Sequence, residues 1–143
     1  MMKHTIILLT TSFLFTTTLL GQSFNLTIKI NNIKTLKGNI QIGVYNTGDD
    51  FLKNGREFKK VYVKVKDHDM SFTLNNLPQN NYAVAVFHDK NLDSVCNTNM
   101  LGMPIESYGF SKNYTPVFRA PKFDETSITM DSDKKILITL IDK

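Results

Sequence analysis

The chain has 143 residues, 41% of them hydrophobic, with a formal net charge of +4 and a single cysteine. A body of this size fits one domain and buries enough apolar surface for a genuine core, which sets it apart from low-complexity and disordered chains. One cysteine, Cys96, excludes an internal disulfide, and it carries no adjacent basic cluster that would activate it.

The amino terminus reads MMKH, then TIILLTTSFLFTTTLL, then GQS, a short basic start, an apolar run and small residues. That order predicts a cleaved signal peptide over 1–23, with the mature chain starting near Phe24; cleavage before Gln22 is the alternative. The run from Thr5 to Leu20 carries six Thr and is shorter than the roughly 20 apolar residues of a spanning helix. The expectation is an exported domain, periplasmic or extracellular, over residues 24–143, with no transmembrane segment after cleavage. Removing Lys3 with the leader takes the net charge from +4 to +3. In KKVYVKVK the lysines alternate with Val and Tyr instead of lining a groove, so nucleic acid is not an expected partner.

Beyond the leader, apolar residues recur with a period of two. FNLTIKI places Phe24, Leu26, Ile28 and Ile30 on one side, and NIQIGVYN repeats the pattern with Ile40, Ile42 and Val44. Their closeness in sequence predicts a hairpin. Asn46 to Phe58 reads as a loop with a Phe51-Leu52 plug. KKVYVKVK and MSFTLNNL then predict a second hairpin around Asp67-His68-Asp69, with His68 at an exposed tip. Tyr82 to His88 is apolar on both parities, the mark of a central strand covered on both faces. Thr126–Met130 and Lys135–Ile141 complete seven strands. No long helical pattern interrupts them. The expected fold is an all-β, antiparallel, seven-stranded sandwich of immunoglobulin-like or transthyretin (prealbumin)-like kind, with one long ordered loop over 89–125.

Structureless connections that long are uncommon in compact domains and are usually functional or disordered. Leu101, Met103, Ile105, Tyr108, Phe110, Tyr114, Val117, Phe118 and Phe123 make this one too apolar to stay solvated. Its opening sets Asp89, Asn91, Asp93 and Asn97 at positions 1, 3, 5 and 9 of a calcium-type loop. Ser94 stands where an EF-hand needs Gly, and Met100 where it needs a bidentate Glu, so an EF-hand is excluded. Two alternatives remain: a looser calcium loop helped by Glu106, or Asp and Asn side chains closing metal-free turns, which is the simpler one.

The segments LPQNNYAVAVFHDKN, MLGMPIESYGFSKN and KFDETSITM resemble the bacterial domain-of-unknown-function family 2141. Leu101, Gly102, Pro104, Glu106, Tyr108, Gly109, Phe110 and Ser111 follow its Leu-Gly-x-Pro-x-Glu-x-Tyr-Gly-Phe-Ser pattern in order. The chain departs from it at Asn97, where relatives tend to carry Asp, and at Asn80-Asn81, where Gly is usual. The resemblance implies an exported protein with a prealbumin-like or immunoglobulin-like sandwich, and it carries over no activity.

Three functions follow as expectations. The first is a non-enzymatic binding or structural module that meets an envelope protein or glycan through the loop, with His88 and the motif residues Leu101, Gly102, Pro104, Glu106, Tyr108, Gly109, Phe110 and Ser111 as its surface. The second is a calcium-stabilised envelope domain using Asp89, Asn91, Asp93 and Asn97. The third, least favoured, is a hydrolase-type enzyme with His88, Asp89 and Glu106 as acid and base. No nucleophile elbow, phosphate loop or HExxH spacing supports that chemistry.

Overall fold

A computed structural model describes residues 21–100 and 102–142. Residues 1–20, which make up most of the span where a signal peptide is expected, and Leu101 lie outside the described residues. Eight strands form: β1 (Ser23–Asn31), β2 (Asn39–Tyr45), β3 (Lys59–Lys64), β4 (Met70–Pro78), β5 (Asn80–Asp89), β6 (Tyr108–Phe110), β7 (Ile128–Met130) and β8 (Lys134–Thr139), with one helical turn, α1 (Phe123–Thr126), before β7. They build a three-stranded sheet ordered β4-β1-β8 and a five-stranded sheet ordered β3-β2-β5-β6, with β7 also paired to β5. Among the described residues no helix is long and apolar enough to cross a membrane.

The inward residues read from the alternation do form the core. Leu26, Ile28, Ile30, Leu74 and Ile138 of one sheet pack against Ile40, Ile42, Val44, Val84 and Val86 of the other, all essentially inaccessible to solvent. Both hairpins, however, are replaced by crossings. β1 pairs with β4, not β2, and β3 pairs with β2, not β4. The connection after β1 turns through left-handed Asn32, drops Ile33 into the core and reaches Gly38, so β2 starts in the opposite sheet. The connection after β3 crosses back beside it: Val65 N–H donates to Gly38 O, and Ile33 N–H to His68 O. His68 is exposed at its tip, yet its Nδ1 lies 2.5 Å from Ile33 O, closing the crossing from the other side.

Two further features differ from expectation. β1 and β8 run parallel, so the sandwich is not wholly antiparallel. An eighth strand, β6, lies inside the expected loop, where Tyr108-Gly109-Phe110 pairs with Ala85 to Phe87 of β5. Gly109 is required there: a Cβ would stand 2.6 Å from Ile138 Cγ2. Gly38, at φ +70°, passes so close to Asp89 O and Lys90 that no side chain fits.

Strand β5 is central as predicted, with neighbours on both sides and side chains covered on both faces. Its inner parity joins the main core. Its outer parity, Ala83, Ala85 and Phe87, joins a second cluster with Tyr45, Phe51, Tyr108 and Phe110, onto which residues of the 89–125 segment fold. Phe51 is the buried half of the Phe51-Leu52 plug, stacked edge-on against Tyr45 and Phe123, while Leu52 is exposed.

Candidate functional site

The outer face of the five-stranded sheet is a grid fixed by register. Gln41 of β2 lies opposite Phe87 of β5, which lies opposite Tyr108 of β6. In the next row Gly43 faces Ala85, which faces Phe110, and beyond it Tyr45 faces Ala83. Large rings therefore surround a patch where glycine and alanine stand side by side. The Tyr45 ring leans over Gly43, with its hydroxyl hydrogen-bonded to Glu57.

The segment after β5 roofs this hollow instead of filling it. The result is a pocket of about 380 Å³ between the sheet face, the 52–57 loop, and two arms of the long segment around 94–104 and 116–120. That volume lies within the range of small-ligand sites. The walls are mostly apolar, and the two full charges on them are already paired. Glu57, whose side chain is almost wholly covered, holds Lys60 at 2.9 Å. Arg119 grips Glu125 with both guanidinium nitrogens, at 2.8 and 2.7 Å. That fork, with the Lys122 N–H, lowers the Glu125 carboxyl to about 2.

Burial pushes the Tyr45 phenol above its usual range, with Glu57 adding to the effect. It also pushes the Cys96 thiol up to about 11, aided by the Glu106 charge, so Cys96 lines the pocket as a neutral, weakly polar group. Gln41 differs from both. Its side chain is 6% exposed, and its Oε1 is buried without a hydrogen-bond partner.

The arm nearest β5 is shaped by carboxylates. Asp89, itself buried, accepts the Asp93 N–H at 3.2 Å on Oδ1 and the Ser94 N–H at 2.9 Å on Oδ2. Glu106 accepts the Lys90 and Asn97 N–H groups, one on each oxygen, both at 3.2 Å. Asp93 accepts from the Val95 N–H and from the Asn91 and Asn97 side-chain amides, and these bonds, with that of Asn97 foremost, hold its pKa down. The Asp89, Asn91 and Asp93 oxygens of the calcium-type spacing thus accept from loop amides while Asn97 contributes its side-chain NH2, with Leu92 and Ser94 in the left-handed conformation to permit it. Among the described residues no three His, Cys, Asp or Glu side chains group to hold a metal ion.

The sequence-predicted residues divide sharply. Gly102, Pro104, Tyr108 and Phe110 line the pocket. Glu106 and Asp89 brace its roof from within. Gly109 faces the main core, and Ser111, fully buried, accepts the Val84 N–H at 2.9 Å and donates to Thr126 O at 2.5 Å, tying β5 to the end of α1. His88 is also fully buried, on the inner parity of β5. Its Nε2 lies 2.7 Å from Lys37 O, so that nitrogen carries the proton and donates, and Nδ1 is left without a partner. His88 therefore does not converge with Asp89 and Glu106, whose carboxylates lie on the loop side.

Sequence reasoning missed Gln41, Gly43, Tyr45, Ala85 and Phe87 as site residues. The usable signal was the outward parity of β2, which reads Gln-Gly-Tyr where a solvated face would carry charge. It also missed the contribution of Leu52, Asn54 and Glu57 from the 46–58 loop.

No curated protein and no solved structure matches the chain. Residues 28–137 match the family described as "Uncharacterized protein conserved in bacteria (DUF2141)". That span runs from the second half of β1 to the first part of β8, takes in the pocket floor and the whole roof, and the chain belongs to this bacterial family.

Proposed function

We propose that this domain is a non-enzymatic binding module whose ligand is a small molecule held between the outer sheet face and the 89–125 segment. The observation that carries it is the pocket left over Ala85 at the centre of an aromatic face, where the Tyr45 ring lies over neighbouring Gly43 and the roof does not collapse onto the rest. A roof serving only stability would fill that hollow, because voids in a packed interior cost free energy. The basic start and apolar run of the amino terminus support an exported setting. For the architecture, we infer the transthyretin-like alternative. An immunoglobulin sheet sets the first strand beside the second, whereas here β1 lies between β4 and β8.

The test is a fragment screen by protein-observed NMR on the wild type and on Ala85→Leu. Binders shifting Gly43, Ala85 and Phe110, and lost in a folded Ala85→Leu variant, are the expected result. Binders that persist in that variant, or map only to other surfaces, would overturn the reading.

A further inference from the structure

Resting on that reading of the pocket, we propose that its ligand class is a small uncharged ring bearing one hydrogen-bond donor, seated on Ala85 beside the Tyr45 ring that covers Gly43, and recognised by the Gln41 side-chain amide. Three observations lead there.

The first is charge. Glu57 and Arg119, the carboxylate and the guanidinium on the pocket wall, are committed to Lys60 and Glu125. A charged ligand would lose its hydration and find no free counter-charge, so entry favours neutral molecules.

The second is shape. The hollow exists because Ala85 stands where the surrounding positions carry the rings of Tyr45, Phe87, Tyr108 and Phe110, while the space above neighbouring Gly43 is taken by the Tyr45 ring. An aromatic or similarly flat ring replaces the missing side-chain volume and meets ring faces and edges, an arrangement that adds to the stabilisation from burial alone.

The third is polarity. Gln41 sits in the same wall, next to Gly43 on the outward parity, and its oxygen is the unpartnered acceptor there. The last torsion of a glutamine is soft and roughly two-fold, so a half-turn that exchanges the amide oxygen and nitrogen turns that buried oxygen towards the pocket. A ligand N–H or O–H supplies the donor that the protein does not. Without one, the acceptor stays buried and unpaired, which is what gives such sites their discrimination.

The probes are indole, its isostere benzofuran, which lacks the N–H, and indole-3-carboxylate, which adds a charge. Each is titrated into the full domain, into Gln41→Leu and into Ala85→Leu, following the Gly43, Ala85 and Phe110 amide resonances. Indole is expected to bind the wild type with a dissociation constant on the order of 0.1–1 mM, in keeping with its size. Benzofuran is expected to bind about tenfold more weakly, and the carboxylate to show no saturable shift. In Gln41→Leu the preference for indole over benzofuran disappears while both still bind; Ala85→Leu abolishes both. An indole preference that survives in Gln41→Leu overturns the role of the amide. Equal binding of all three probes, lost in Ala85→Leu, overturns the ligand class but leaves the pocket as the binding site. Failure of all three while the fragment screen still returns Ala85-dependent binders also overturns the class alone. Probe binding that is indifferent to Ala85→Leu overturns the pocket reading with it.

Discussion

On its inner face β5 presents Tyr82, Val84, Val86 and His88, which with the branched aliphatics of both sheets leave almost no accessible surface. On its outer face it presents Ala83, Ala85, Phe87 and Asp89, which meet rings, a glycine and a stretch of irregular chain around a hollow of about 380 Å³. Alternation makes the two faces equally buried in sequence terms, yet one is packed for stability and the other is built around a space. Burial alone is thus a poor guide to function in a central strand. The informative sign is a small residue where register sets it beside another small residue.

Substitutions separate the two faces by size of effect. Ile42→Ala cuts into the inner core, and a loss of about 2–5 kcal/mol is expected from urea unfolding, whereas Ala85→Leu on the outer face leaves the midpoint nearly unchanged. Gly109→Ala drives a methyl against Ile138 and carries an expected cost of about 1–3 kcal/mol; no shift in the midpoint would mean that β6 sits farther from β8 than described. Glu106→Gln keeps the shape of the brace but replaces one of its two acceptor oxygens by an NH2 that faces a loop N–H. About 1 kcal/mol is expected, concentrated in faster hydrogen exchange at Lys90 and Asn97 while inner-core amides keep their protection.

Smaller effects probe the roof from outside. Glu125 has its folded pKa lowered to about 2 by Arg119 and the Lys122 N–H, below its unfolded value. Its contribution is therefore present above the ordinary carboxylate range and fades as pH falls through about 2. An NMR titration should show that midpoint moving up in Arg119→Ala, with little change in global stability for so exposed a pair. The smallest expected effect is that of calcium. Because the Asp89 and Glu106 oxygens each accept a loop amide, melting curves in EDTA and in millimolar calcium should coincide. A rise of several degrees would restore the oxygen loop as a metal site.

Much of the inner sandwich is legible in the sequence, because a period of two states directly which residues turn inward. Ile40, Ile42, Val44, Val84 and Val86 are all where that period puts them. It does not state which sheet a strand joins. The connections of 32–38 and 65–69 look like ordinary turns, and only the burial of Ile33 and Val65 shows that each crosses the sandwich. Strand β6 is three residues long and centred on glycine, too short for any periodic signal. The pocket was illegible for a related reason: Gly43 and Ala85 become neighbours only through the register of β2 on β5. The motif around Glu106 to Ser111 lies beside that pocket. Half of it serves as scaffold, since Glu106, Gly109 and Ser111 hold the roof and strand ends while Tyr108 and Phe110 face the space.

The parallel pairing of β1 with β8 has a consequence for the order of assembly. β1 takes one neighbour from 70–78 and the other from 134–139, so the first of the described strands waits for the last to have both edges satisfied. Closure of that sheet spans nearly the whole domain, a topology that folds slowly and leaves the first strand's edges open during synthesis. A chain cut short before Lys134 would leave Leu26, Ile28 and Ile30 beside an unpaired edge, so the first strand of the domain depends on its last one to be covered.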